Sequence, residues 1–283
     1  LYIRVIGTSD QIEVQSHFSF SWGYSIDQIR FAKDSTVWDY DNIVARLITA
    51  TDANDTIYGH VGQENIIEGG YGEDTLYGDH YGTDELLGGD NDDSLYGRNG
   101  NDTLWGGEGN DYLAGENDDD HLLGGAGSDW LYGGSGTDIL RGEEGNDTLF
   151  ASSGDDILEG GTGDDELKGS SGNDTYLFSR GFGNDEIYDS VHGADGGIDE
   201  ILFTEEIDSS EVELIRSGDD LHARIIGTSD QIRILNHFWY TNYRIERISF
   251  AKDGASWDFD QIDAITAEPQ IVDDGDEVYT GDE

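Results

Sequence analysis

The chain of 283 residues has no cysteine and no methionine, a single proline, and 14 basic residues against 63 acidic ones. Without cysteine there is no disulfide framework, no thiolate metal site and no thiol nucleophile, so the redox state of the compartment leaves no mark on the sequence. The shortage of lysine and arginine leaves a formal net charge of −49. A chain of that charge is excluded as a nucleic-acid binder, which needs a basic surface, and as a binder of anionic membranes. No apolar run approaches the roughly 18 residues of a membrane span, and nothing at Leu1 resembles the basic start and apolar core of a signal peptide. The absence of methionine, position 1 included, is what a segment excised from a longer protein is expected to show.

Self-repulsion of this size opposes a compact state, yet the composition is not that of a solvating acidic tail. Aromatics make up 11% of the chain and hydrophobic residues 35%, and the acids recur with a period instead of in blocks. Between residues 88 and 177 the chain divides into nine-residue rows: GGDNDDSLY, GRNGNDTLW, GGEGNDYLA, GENDDDHLL, GGAGSDWLY, GGSGTDILR, GEEGNDTLF, ASSGDDILE, GGTGDDELK and GSSGNDTYL. An aspartate holds the sixth place of every row. With the row before, these are Asp84, Asp93, Asp102, Asp111, Asp120, Asp129, Asp138, Asp147, Asp156, Asp165 and Asp174. Two places later stand Leu86, Leu95, Leu104, Leu113, Leu122, Leu131, Leu140, Leu149, Leu158 and Leu167, then Tyr176. Residues 69–77 form a further full row carrying Asp74, whereas 59–68 and 78–87 each hold one extra residue. Asp55 and Asp185 mark edge rows with weaker expected sites.

Each row reads as a turn followed by a very short strand. Glycine at places one, two and four permits positive φ and close backbone approach, and the residue after the aspartate, the leucine and its successor are the extended part. Nine residues then make half a coil, with two parallel sheets facing each other across stacked leucines and coils about 4.8 Å apart. Aspartates stacked at that spacing repel unless a cation lies between them. Calcium suits a glycine loop with one fixed carboxylate, because it is a hard ion that takes six to eight oxygens and accepts carbonyls as readily as carboxylates. Magnesium demands a stricter octahedron, and zinc prefers histidine or cysteine.

These GGxGxDxUx rows resemble those of the RTX family of secreted bacterial proteins, whose arrays fold as a calcium-binding parallel β-roll. The resemblance implies an ion between each loop and the loop eighteen residues on, held by the sixth-place aspartates of both and by backbone carbonyls. Asp102 and Asp120 would share one ion, Asp111 and Asp129 the next on the opposite side. The carbonyls are assigned to the first-place glycines Gly88, Gly97, Gly106, Gly115, Gly124, Gly133, Gly142 and Gly160. Eleven rows in register allow up to about nine ions, eleven less two. Asn91 and Asp118 replace the fourth-place glycine, Arg98, Glu116 and Glu143 the second, and Ala151 and Ser152 the opening pair. Asn and Asp tolerate a left-handed backbone best, so the sites using Ala151 and Ser152 are expected to be weaker than those using Asn91.

A second repeat surrounds the array. IGTSDQIEVQSHF at 6–18 recurs as IGTSDQIRILNHF at 226–238, and IDQIRFAKDSTVWDYDNI at 26–43 as IERISFAKDGASWDFDQI at 245–262. DANDTIYG at 52–59 resembles DDGDEVYTG at 273–281, so the parent is expected to repeat a unit of some 220 residues in tandem. Short strands are expected at 2–6, 12–14 and 29–32, and a hairpin at 214–226 with Ser-Gly-Asp-Asp at its turn. The flanks resemble the haemolysin-type calcium-binding-related domain found beside RTX arrays, and they suit the caps that a solenoid's open edges require. Trp38 and Trp257, Phe31 and Phe250, and His17 and His237 are read as cap core.

The expected architecture is therefore all-β: a parallel β-roll of two short-strand sheets capped at both ends by small antiparallel β flanking domains. Its parts are a flank at 1–50, the calcium-binding roll at 51–190, a second flank at 191–268, and a linker with the start of another array at 269–283. No catalytic residue is assigned. His60, His80 and His121 fall at unrelated places of their rows and read as solvated loop residues, and no HExxH or Ser/His/Asp context is present. The resemblance implies a calcium-binding structural module of a large toxin, adhesin or exoenzyme, a monomeric unit in a tandem array. Such a protein passes unfolded through a type I secretion apparatus and folds on calcium in the extracellular medium. The alternative is an adhesin-type module for a cell-surface or glycan ligand, with Trp22 and Trp239 the candidates, or part of an exoenzyme.

Overall fold

The nine-residue period sends successive rows to opposite sheets, so a strand pairs with the strand two rows away. The computed structural model describes residues 2–4, 11–13, 28–30, 37–39, 50–60, 62, 64–189, 197–204, 206–239 and 245–267. His17, Trp22, Phe31 and the expected array start at 269–283 lie outside them.

Within residues 1–49, a compact unit of its own, β1 (Tyr2–Arg4) pairs antiparallel with β2 (Gln11–Glu13), and β3 (Gln28–Arg30) with β4 (Val37–Asp39), which contains Trp38. The rest of the chain forms a second unit. Its first sheet contains β6 (Ile66–Tyr71), β8 (Glu85–Asp90), β10 (Thr103–Glu108), β12 (His121–Ala126), β14 (Ile139–Glu144), β16 (Ile157–Thr162), β18 (Thr175–Phe178) and β20 (Glu200–Phe203), all parallel neighbours in that order. The second contains β5 (Thr56–Tyr58), β7 (Thr75–Tyr77), β9 (Ser94–Asn99), β11 (Tyr112–Asn117), β13 (Trp130–Ser135), β15 (Thr148–Ser153), β17 (Glu166–Ser171) and β19 (Asn184–Ile187). Register is set by the leucines: Leu104 stands opposite Leu86 and Leu122, and Leu113 opposite Leu95 and Leu131. From Leu76 to Leu167 every leucine of this place is fully buried, worth about 1.5–3 kcal/mol each.

The strands are longer than the three residues expected. β10 runs through TLWGGE, with Leu104 and Gly106 both facing inward, because the parallel ladder continues past the first two glycines of the next row. First-place glycines are therefore strand residues and lack the positive φ expected of them. Positive φ belongs to places two and four, where Arg98, Glu116, Glu143, Ser152 and Ser170 (second) and Asn91 and Asp118 (fourth) adopt it alongside the glycines.

Both sheets run on into the second flank. β23 (Gln231–Ile234) adds parallel to β19, and β24 (Arg247–Phe250) adds parallel to β20. Each sheet then ends in antiparallel strands: β22 (Asp220–Ile225) and β21 (Val212–Ser217) on one, β25 (Ser256–Asp258) on the other. β21 and β22 form the expected hairpin around Gly218 and Asp219. The flank thus ends the parallel ladders with strands of opposite direction. A helix, α1 (Phe259–Ala267), follows β25. It opens on a capping box in which Asp258 accepts from the Gln261 N–H at 3.0 Å and Gln261 from the Asp258 N–H at 2.9 Å.

Candidate calcium sites

Because a strand starts just after each sixth-place aspartate, the aspartates stack in two columns eighteen residues apart. Within a column each backbone N–H donates to Oδ1 of the aspartate one coil further on. Asp102 donates to Asp120 and Asp120 to Asp138, both at 2.8 Å, and on the other column Asp111 donates to Asp129 and Asp129 to Asp147, also at 2.8 Å. That bond fixes each carboxylate and leaves its second oxygen over. Oδ2 is buried with no hydrogen-bond partner at Asp74, Asp93, Asp102, Asp111, Asp120 and Asp129, and likewise at Asp138, Asp147, Asp156, Asp165 and Asp174. All of these residues are at most 3% exposed. One buried carboxylate oxygen without a donor or cation is unfavourable, and here it recurs coil after coil.

The free oxygens face the first-place glycines. A Cβ placed on Gly88 would lie 2.5 Å from Asp93 Oδ2 and 2.6 Å from the Gly106 carbonyl; one on Gly133 would lie 2.5 Å from Asp138 Oδ2 and 2.9 Å from the Ala151 carbonyl. Glycine is needed at the first place because a carboxylate oxygen and the next coil's carbonyl converge there, not because of φ. Gly97, Gly106, Gly115, Gly124, Gly142 and Gly160 sit equally close to the aspartate of their own row. An all-oxygen, anionic, buried donor set of this kind fits calcium.

The carboxyls register the same shortage of positive charge. Burial pushes Asp120 and Asp174 up to about 8, Asp93, Asp102, Asp111, Asp147 and Asp156 to about 7, and Asp129, Asp138 and Asp165 to about 6. The amide from the previous coil opposes this shift, and neighbouring carboxylates add to it.

Two positions depart from the column pattern. Asp84 has both oxygens matched: the Asn65 N–H and Nδ2 donate to Oδ1 at 2.8 and 2.7 Å, and the Asp79 N–H to Oδ2 at 2.6 Å. The extra residue of row 78–87 brings that last amide into place. Ala151 puts a fully buried methyl group at a first place. Asp185, on a row expected to be an edge row with a weaker site, keeps the pattern: it is 1% exposed with Oδ2 unpartnered, and burial pushes it up to about 8.

The fifth-place residues form an outer column running the other way. Asp92 Oδ1 accepts from the Asn110 N–H at 2.7 Å, Asn110 Oδ1 from the Ser128 N–H at 2.9 Å, and Asp119 Oδ1 from the Thr137 N–H at 2.7 Å.

Four consecutive stretches, 62–80, 81–113, 114–149 and 150–187, match the RTX calcium-binding nonapeptide repeat. Residues 62–187 are thus an array of RTX repeats. Residues 1–42 and 220–261 of this chain each match the haemolysin-type calcium binding protein related domain, so both flanks carry the same module. Among solved structures, the extracellular lipase LipA from Serratia marcescens is similar over 69% of this chain and 38% of the lipase, at 18% identity and a TM-score of 0.31. The chain thus spans well under half the length of that relative.

In the second flank, His237 and Phe250 are buried as expected of cap core, and Trp257 is half-buried edge-on to Phe250 with ring centroids 4.7 Å apart. Trp239 is 56% exposed. His80 and His121 are exposed and His60 half-buried.

Proposed function

We infer that the array serves as a calcium-binding structural module. We propose that calcium acts as its folding trigger: the ion-free chain stays expanded under its own charge, and binding energy becomes folding energy. The observation that carries this reading is the column of buried, unpartnered Oδ2 atoms, each beside a first-place glycine. Asp102 with Asp120, and Asp111 with Asp129, would hold one ion each, together with first-place carbonyls. Calcium supplies the positive charge that the carboxylates lack, and about nine doubly charged ions, neighbours in a column sharing an aspartate, would offset about 18 of the 49 net charges. The family supports the wider setting of a large protein secreted by the type I route and folding in extracellular calcium, where modules with dissociation constants of about 10⁻⁴ to 10⁻³ M are filled. The parent would then be a toxin, adhesin or exoenzyme.

Circular dichroism and tryptophan fluorescence during a calcium titration test this. Strand signal is expected to appear with the ion; a signal complete in chelator and indifferent to calcium would sink the idea. Asp129→Ala is expected to weaken binding at two ions and to shift the midpoint more than Asp55→Ala.

A further inference from the structure

The last coil does not repeat the geometry of the others. After β18 the offset between stacked aspartates grows from eighteen residues to twenty-five, and the Asp174 N–H donates to Asp199 Oδ1 at 2.9 Å. Asp199 therefore takes the sixth place of the closing loop without belonging to a nonapeptide row. On the preceding strand, Leu167 stands opposite Ile187, and the Tyr188 N–H donates to the Leu167 carbonyl at 3.0 Å. That register puts Asp189 opposite Gly169, at the first place, where rows of the array carry glycine. The Ser170 N–H donates to Asp189 Oδ1 at 3.2 Å; the Asp189 carboxyl lies against that of Asp199, and no N–H or O–H group donates to its Oδ2.

Three carboxylates thus meet where the array brings together two. Ligand oxygens of Asp174, Asp189 and Asp199 all lie within 4.8 Å of one another, and the residues are 1%, 1% and 4% exposed. Tyr176, fully buried in a leucine position, accepts the Gly169 N–H on its hydroxyl at 2.8 Å and closes the inner side. A buried group of formal charge −3 needs a cation more than a pair does, and affinity for calcium rises with the number of carboxylate ligands and the rigidity of the cage. The cage also reaches the flank: the Asp199 N–H donates to Glu246 Oε2 at 3.0 Å, and the Asp199 carbonyl accepts from the Glu246 and Arg247 amides at 3.0 and 3.1 Å.

We propose that Asp174, Asp189 and Asp199 form an additional calcium site, tighter than those of the regular columns, that fastens the second flank to the last coil. The proposal rests on the calcium reading of the columns for the identity of the ion, and on its own three carboxylates for everything else.

The test uses the full chain and calcium alone, comparing wild type, Asp189→Asn and Asp129→Asn by equilibrium dialysis and circular dichroism. Asp189→Asn keeps the acceptor for Ser170. It is expected to bind one ion fewer at saturation and to need about tenfold more calcium to form the roll. An unchanged ion number and midpoint in Asp189→Asn, while Asp129→Asn loses binding, would overturn the terminal site and leave the column reading intact. If neither variant changes anything, the column reading fails as well. Should Asp189→Asn not form the roll at saturating calcium, wild type decides: after partial chelation of the folded protein, one ion per chain is expected to persist when the others have left, and simultaneous loss of all would overturn the proposal.

Discussion

The two ends of the roll solve the same problem by different means. At the first end, carboxylates are matched by the chain's own donors. Asp55 Oδ2 accepts from the Thr51 N–H and Oγ1 at 2.6 and 2.8 Å, Asp79 Oδ1 from the Tyr81 and Gly82 amides, and both oxygens of Asp84 are taken. Among the described sixth-place aspartates here only Asp74 keeps a buried oxygen without a partner. At the closing end Asp165, Asp174, Asp185 and Asp189 each leave one, and the scarce basic residues gather nearby. Arg233 pairs with Glu186 at 2.9 Å and Asp220 at 2.8 Å, Lys252 with Asp208 and Glu211 at 3.1 Å, and Arg180 with Glu211. Those pairs lie at or near the surface, where solvent screens them and each contributes little. The Arg233–Glu186 and Arg180–Glu211 pairs tie flank to roll, the others lie within the flank, and all leave the buried oxygens untouched. A slipped row satisfies its aspartates with amides; a row in register holds them for an ion.

The largest effect expected from this contrast is on pH. A carboxyl whose folded value is raised takes up a proton on folding, so its contribution to the ion-free roll is full below the ordinary value of about 4 and is lost as pH rises through the folded value. For Asp93 to Asp185 that window runs from about 6 to about 8. In chelator, strand signal is expected at pH 4.5 and absent at pH 8, where calcium restores it. More strand in chelator at pH 8 than at pH 4.5 would break the account.

A smaller effect separates the two kinds of row directly. Asp120→Asn is expected to weaken calcium binding at its coil about tenfold, whereas Asp84→Asn should leave the number of ions unchanged. Calorimetry that showed an ion lost on both substitutions would erase the distinction drawn for the slipped row. The smallest change concerns Ala151, whose methyl group stands where glycine elsewhere leaves room. Ala151→Gly is expected to tighten the neighbouring site roughly threefold, under about 1 kcal/mol, and an unaltered isotherm would show that the methyl does not intrude.

Much of this was legible in the sequence because a strict period converts directly into stacking. The eighteen-residue pairing, the leucine core and the aspartate columns all follow from it. Strand length was not legible: the expectation that glycine marks turns hid the fact that Gly106 continues β10. The matched state of Asp84 could not be read either, since it depends on where one extra residue places the Asp79 amide. Asp199 did leave a trace, because Asp-Glu-Ile at 199–201 echoes the Asp-x-Leu of a row, but Asp189 reaches its partners through tertiary register alone. The capping box of α1 stands in the sequence as Asp258 and Gln261 and is masked there by the strand pattern before it. The fifth-place acids, which composition leaves without a role, turn out to accept amides from the coil ahead.

The direction of the aspartate bonds gives the molecule a polarity. Each sixth-place carboxylate reaches back to an amide in the coil before it, so a coil is finished only by its successor, and the final successor is not a repeat but Asp199. Shortening the chain from its start leaves the first surviving coil with a buried carboxylate that has lost its amide donor. Shortening it from its end leaves the last coil with an amide that has lost its carboxylate acceptor, so the two truncations are chemically unlike even when they remove the same number of rows.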